Sequence, residues 1–381
     1  MISKESNKVV GFIEILIPIT KCNIKCHYCY VAQRDCRTME FAKFNRTPKQ
    51  IAHALRQERF GGSLMLSICG AGETMMVKEL PEIILALLKE GHFVNITTNG
   101  TVTKCFERIY EIVPRDLICR LNFSFSYHVI ELQRIKAETI FWNNVKSVKE
   151  NGASYMLQFN LCDGYIPYLD YIAESCLANC GALPQVAATR DEINLTNEIK
   201  LFTDLQRSEY EELGKRFQSP LFDFTMKNFM VKRKEFCCAG KWSYVLNLST
   251  GILKPCYNSS LFQNIYKNTN KKISFEAIGK HCTSLFCMNS SHFISMGVIP
   301  EYDAPTYGEL RNRICTDGTE WYTPEWKEMT TTKLYTTNPP LTGADKLRSE
   351  IQAMVDWTIK LALAIVPTKL IRKLKRKFKR I

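Results

Sequence analysis

Three cysteines fall within eight residues of the stretch "TKCNIKCHYCYVA": Cys22, Cys26 and Cys29, spaced C-x3-C-x2-C, with Tyr28 before the third. Thiols this close in one loop serve a common task. As thiolates they are soft ligands, suited to Zn, Cu(I) or an iron–sulfur cluster. A structural zinc site takes four ligands, so a zinc loop would need its fourth from His27 or Cys36. A second group lies downstream in "CCAGKWSYVLNLSTGILKPC" and "HCTSLFC". It offers Cys238 (or its neighbour Cys237), Cys256, Cys282 and Cys287, a full set of four thiolates for a cluster or for structural zinc.

The rest of the composition decides the setting for those thiols. The chain has 381 residues and 16 cysteines, with 45% apolar and 11% aromatic residues, which describes a globular protein larger than one core requires. The N-terminus lacks signal-peptide order: its apolar run starts only at Val9, alternates like a strand and contains Glu14. A cytoplasmic, reducing setting follows as the expectation, and there clustered cysteines mean metal or catalysis. Of the net charge of +13, eight positive charges sit in the last thirteen residues, "KLIRKLKRKFKRI". The body is therefore only mildly basic, and no nucleic-acid partner is expected.

The elements that must position the thiols alternate along the first half. Strand-like runs at 9–17, 63–68, 93–98, 116–126, 154–160 and 182–188 are separated by helical patterns at 48–60, 77–91, 101–112, 129–150 and 166–179. Such alternation implies a parallel sheet with helical crossovers and a site at the C-terminal ends of the strands. The three-cysteine loop directly follows the first strand, on that edge.

The spacing C-x3-C-x-aromatic-C after a first strand resembles the radical S-adenosylmethionine (radical SAM) enzymes. The resemblance runs over residues 9–190. "CGAGETMM" stands where that family has a Gly-Gly-Glu-Pro motif; Gly72 and Glu73 match, while Ala71 and Thr74 depart from it. "TTNG" ends the third strand, "FSFSYH" the fourth, with Ser124 or Ser126 at its edge, and Asn160 the fifth; Arg190 follows the sixth. The resemblance implies an α/β fold, a partial (β/α)6 TIM-like barrel. It implies that Cys22, Cys26 and Cys29 hold three irons of a [4Fe–4S] cluster, whose fourth iron binds S-adenosylmethionine (SAM). Gly72, Glu73, Ser126, Asn160 and Arg190 are then the expected SAM contacts. One electron from an external donor such as flavodoxin or ferredoxin would pass through the cluster to cleave SAM, and the radical formed would take hydrogen from a substrate.

The downstream cysteines are similar to the SPASM and twitch extensions of that family, which bind auxiliary [4Fe–4S] clusters. Four cysteines imply one such cluster, held by Cys238, Cys256, Cys282 and Cys287, with Cys237 as the substitute for Cys238. The cysteines at 36, 69, 105, 119, 162, 176 and 180 are expected in packing roles, and Cys315 alone remains downstream of the four, with no role assigned. The expected division is 1–190 core barrel, 191–236 connector, 237–295 auxiliary domain, 296–350 irregular wrapping segment and 351–381 tail. The tail begins as an amphipathic helix, breaks at Pro367, and then places Leu370, Ile371, Leu374, Phe378 and Ile381 on one face. It is too short in apolar length to span a bilayer. It reads as a helix lying on an anionic membrane surface, the inner face from the cytoplasmic side, where each basic residue contributes about 1 kcal/mol. The expected substrate is a peptide or protein that undergoes oxidation, crosslinking or epimerisation. The alternatives are a sugar or lipid-linked carbohydrate and, in another class, a non-enzymatic metal-binding membrane scaffold. With about eight residues before the first strand, no leader-peptide-binding domain is expected there.

Overall fold

Continuous apolar runs favour strands buried on both faces, and an apolar stripe at helical spacing favours a helix that covers them. The computed structural model, which describes residues 7–192 and 199–365, follows that division. Strands β1 (Gly11–Ile17), β2 (Leu64–Gly70), β3 (Phe93–Thr98), β4 (Leu121–Ser126), β5 (Ser154–Leu161) and β6 (Gln185–Ala188) pair in parallel, in chain order. Helices cross between them. In Leu80–Lys89, for example, Leu80, Ile83, Ile84, Leu87 and Leu88 are all buried. Among the described residues β6 has β5 as its one neighbour, so the sheet stays open. The architecture is a partial TIM-like barrel.

The cysteine-rich extension is not a separate sheet. Its strand β7 (Ser243–Asn247) pairs in parallel with β1, and β8 (Ile252–Lys254) and β9 (Gln263–Asn264) follow antiparallel. One nine-stranded sheet results, in the order β6-β5-β4-β3-β2-β1-β7-β8-β9. The β7–β8 hairpin turns at Ser249-Thr250-Gly251. Gly251 has φ +73°, and a Cβ there would lie 2.4 Å from the Tyr266 ring.

Three elements differ from the sequence pattern for identifiable reasons. The run 116–126 is a strand only from Leu121, because Arg115–Ile118 forms a helical turn after Pro114. The pattern 129–150 splits into Val129–Arg134 and Glu138–Glu150 around Lys136, whose φ of +54° ends the first helix. The pattern 48–60 breaks at Arg56, whose ψ is 151°.

Parallel register stacks the inward side chains in layers. Glu14 lies opposite Ser67, Ser67 opposite Asn95, and Asn95 opposite Asn122. Asn95 donates to Ser67 Oγ at 3.1 Å, and Asn122 donates to Asn95 Oδ1 at 2.7 Å. This polar belt is buried inside the barrel; its side chains bond one another, and Asn122 Oδ1 is left without a partner among the described residues. The other end of the sheet is closed by the segment after residue 300, which forms the short helices Tyr307–Arg311, Pro324–Thr330 and Leu334–Thr337. Trp321 and Trp326 are fully buried there, with Trp326 edge-on to Phe93 and Tyr155 N–H donating to Trp321 O at 3.1 Å.

Candidate functional site

The three-cysteine loop is held from several sides. Thr20 and Lys21 N–H both donate to Glu40 O, at 3.0 and 3.1 Å. Arg37 donates to Cys22 O at 3.1 Å and also to Ile24 O. Lys25 N–H donates to Glu131 Oε2 at 2.5 Å, and Glu131 is itself paired with Arg134 at 2.7 Å. Tyr28, the aromatic of the motif, is buried; its hydroxyl meets His128 Nδ1 and lies 3.2 Å from Tyr165 Oη. Burial pushes the His128 imidazole down to about 4, so it is neutral at pH 7. Burial also raises the Cys22 and Cys26 thiols, and the nearby charge of Cys29 adds to both shifts. His27 points elsewhere, with Nε2 3.7 Å from Cys162 Sγ, and Cys36 is exposed and donates to Arg34 O at 3.2 Å. The two candidates for a fourth zinc ligand are thus engaged outside the group. Among the described residues no three His, Cys, Asp or Glu side chains form a cage for a single metal ion.

The end of β2 is sewn to this loop. Gly72 N–H donates to Ile19 O at 2.6 Å and Glu73 N–H to Lys21 O at 2.9 Å. A Cβ at position 72 would fall 2.1 Å from Lys21 O, so only glycine permits this crossing. The close approach that glycine allows is therefore made to the protein's own backbone. Glu73 is buried, and its carboxylate accepts from Thr98 Oγ1 at 2.6 Å, Asn99 N at 2.7 Å and Met75 N at 2.9 Å. Burial raises its pKa and these bonds oppose the rise. Three of about four acceptor positions are occupied, leaving one for a ligand's donor. Asn99, from "TTNG", donates to Asn23 Oδ1 at 2.8 Å and lies 3.8 Å from Cys22 Sγ.

A cavity of about 730 Å³ opens beside these groups. Cys22, Cys26, Cys29, Gly72, Glu73, Ser126, Asn160 and Arg190 all line it, so the residues expected at the SAM-binding edge share one space. Ser124 also faces it, with its hydroxyl donated to Asn95 Oδ1 at 2.9 Å. Arg190 is tied to Glu192 at 3.1 Å and donates to Met288 O at 3.1 Å.

In the second cysteine group the two adjacent thiols differ in their surroundings. The thiol that senses Cys256, Cys282 and Cys287 is that of Cys237. Cys238 instead senses the charges of Glu301 and Lys346. The cause is local: Cys237 bridges antiparallel to Gly279, and adjacent residues of an extended segment project to opposite sides. Burial raises Cys237 and Cys256 and pushes Cys287 up to about 12. Cys287 also lines the main cavity, so the two cysteine groups border the same space. Cys315 is remote from both, donating to Cys180 O at 3.2 Å.

Residues 16–128 match the family model of the Radical SAM superfamily. The chain carries a radical SAM domain. A [4Fe–4S] cluster and SAM are implied by that domain, and the protein is an enzyme. Among solved structures the chain is similar to Streptococcus suis SuiB bound to S-adenosylmethionine, at 15% identity over 70% of this chain and 67% of that one, TM-score 0.46. It is also similar to anSMEcpe with bound AdoMet, at 12% identity over 94% and 97%, TM-score 0.45. SuiB bound to precursor peptide SuiA matches at 16% identity over 68% and 63%, TM-score 0.42.

Several cavity residues of the radical SAM domain and its extension escape the motif pattern. Glu14 faces inward from β1 and accepts from Asn289 Nδ2 at 2.7 Å, with Cys69 Sγ at 3.8 Å and Arg311, Tyr257 and Tyr307 near enough to sense its charge. Burial dominates and pushes its carboxyl up to about 7. A charge inside the apolar run "GFIEILI" was the available signal. Arg311 and Asn289 gave none, because they reach the cavity from loops and a short helix far along the chain.

Two outcomes follow from this geometry. Cys237→Ala should lower the iron bound after anaerobic reconstitution while Cys238→Ala leaves it unchanged; iron analysis of the two variants decides between the neighbours. For Glu14 the folded pKa lies above the unfolded value, so the folded state binds the extra proton. Its contribution is complete below about pH 4.5 and is lost as pH rises through about 7. Denaturant titrations should therefore show Glu14→Gln gaining on the wild type as pH rises from 5 to 8.

Proposed function

We propose that the protein cleaves SAM reductively and that the 5′-deoxyadenosyl radical removes hydrogen from a peptide or protein substrate, in an oxidation, crosslink or epimerisation. The observation that carries this reading is the shared cavity, with the three-thiol loop on one side, Cys287 on another and the polar strand ends between them. Cys22, Cys26 and Cys29 would hold three irons. They are near enough to sense each other's charge, and three soft thiolates with no fourth protein ligand beside them among the described residues suit an iron–sulfur cluster that keeps one iron open. The cluster, reduced by flavodoxin or ferredoxin, would supply the electron that cleaves SAM.

The chain's own residues would do the positioning. Glu73 has one acceptor position left for the SAM ammonium, with Gly72 fixing its place. Ser126 would face the ribose, and Asn160 and Arg190 would make polar contacts farther along the edge. Phe286, Met288, Leu221 and Tyr257 form the opposite wall and would keep water from the radical. Cys237, Cys256, Cys282 and Cys287 would hold one auxiliary [4Fe–4S] cluster. A net two-electron oxidation needs an electron acceptor near substrate, and Cys287 borders the space where substrate would lie. The peptide class rests on the company such extensions keep; a sugar or lipid-linked carbohydrate is the alternative.

The same proposal includes attachment to an anionic membrane surface from the cytoplasmic side. The helix Gly343–Ile365 packs one face on the extension, through Gln352 to Glu276 and Asp356 to Ser260 N–H. Its other face exposes Leu347, Ile351, Met354, Val355, Trp357 and Leu361. No helix among the described residues is long and apolar enough to cross a membrane. Pro367 and the basic face with Leu370, Ile371, Leu374, Phe378 and Ile381 lie outside the described residues. An apolar stripe leading toward eight basic residues is the pattern of a surface-lying anchor.

Anaerobic reconstitution should load about eight iron atoms per chain, and reduction with SAM present should release 5′-deoxyadenosine. Cys26→Ala should abolish that release; tightly bound zinc without cleavage would refute the proposal. For the anchor, sedimentation with phosphatidylserine vesicles should be lost on truncation at Pro367 and weakened by added salt. Unchanged sedimentation would remove the tail from the proposal.

A further inference from the structure

Among the residues that line the cavity, one side chain is out of balance. Arg311 is 1% exposed, yet its Nε and Nη1 find no acceptor among the described residues. Its interactions are a bond from Nη2 to Ser291 Oγ at 3.3 Å and the Tyr307 ring, 3.8 Å from the guanidinium carbon. The carboxylate whose charge it senses, Glu14, is occupied by Asn289 and Cys69 rather than by Arg311. One hydroxyl in the same cluster, Tyr307 Oη, is also buried without a partner among the described residues. Burying a guanidinium with unmet donors is costly, and a protein retains such a group where something else completes it. Arg311 lines the cavity beside Glu14, Asn289, Ser291 and His292.

We infer that Arg311 is the centre of a carboxylate-binding subsite for the substrate. This rests on the reading of the cavity as a substrate chamber and adds to it the end of the substrate that is gripped. A planar guanidinium matches a carboxylate in shape and charge. One cation with a carboxyl as its neighbour favours a singly charged group over a phosphate dianion. Asn289 and Ser291, from the segment that follows Cys287, would fix the orientation of that group. A carboxylate held there would leave the rest of a peptide or an acidic sugar extending along the cavity toward Ser126 and Asn160, the edge where SAM is proposed to lie. The neutral imidazole of His292, its pKa held well down by burial and by the Arg311 charge, adds no competing cation.

The test uses the reconstituted full chain and reads its melting temperature, so it is independent of SAM cleavage. The probe is N-acetylglycine, with neutral N-acetylglycinamide and inorganic phosphate at matched ionic strength. At tenfold its dissociation constant, N-acetylglycine should raise the melting temperature by roughly 1–2 °C; the amide should do nothing and phosphate less than the acid. Arg311→Met should lose the response and, without ligand, melt at or above the wild type, because the unmet charge is gone. Arg311→Lys keeps the charge without the fork, and should need about tenfold more N-acetylglycine. An equal response to the amide, a stronger response to phosphate, or a retained response in Arg311→Met overturns the inference. So does an Arg311→Met protein that melts below the wild type, or an unchanged concentration dependence in Arg311→Lys. SAM is titrated alongside: loss of its stabilisation in Arg311→Met would assign the guanidinium to the cofactor and also overturn the substrate subsite. Absence of 5′-deoxyadenosine with an intact carboxylate response would instead sink the proposed reaction and leave the subsite standing.

Discussion

The carbonyl of Lys21 lies where a side chain on residue 72 would begin, 2.1 Å from the position of a Cβ. That one contact lets the end of β2 close on the loop after β1. The two bonds that follow, from Gly72 to Ile19 and from Glu73 to Lys21, make loop and strand end a single unit. Glu73 extends the unit to β3 through Thr98 and Asn99, and Asn99 reaches back to Asn23 and Cys22. Three successive strand ends are thereby locked before any ligand arrives, which is the preorganisation that a reactive site requires.

Opposite this unit the wall is made by the C-terminal part of the chain. Pairing of β7 with β1 extends the barrel sheet and seats the segment 286–292 above Glu14. The polar belt of Ser67, Asn95 and Asn122 is bonded within itself except at Asn122 Oδ1, and the cavity layer leaves two donors of Arg311 unpartnered among the described residues. On this wall Arg311 leaves two donors unpartnered, and burial holds the Glu14 carboxyl up near 7. Such departures from a self-satisfied interior mark places where function is written over stability.

The thiol loop, Gly72 and Glu73 were legible because their chemistry is local in sequence: adjacent thiols and a glycine-acid pair at a strand end. The order of strands was legible because parallel crossovers repeat one period. Which of Cys237 and Cys238 lies near the other thiols was not, since it depends on which side of an extended segment faces them, and neighbouring residues have identical chemistry. The break at Lys136 and the helical turn before Leu121 were hidden for a related reason. Short apolar runs do not distinguish helix from strand, and packing decides.

By itself, then, the sequence determined a parallel α/β architecture, a three-thiol loop on its catalytic edge, four further thiols and a basic end, since each is carried by residue type and near-neighbour spacing. Tertiary structure decided that both thiol groups border one cavity, that the extension continues the barrel sheet, and that Arg311 stands beside Glu14. Those facts depend on contacts between residues far apart in the chain, and local spacing holds no record of which distant backbone will pack across it.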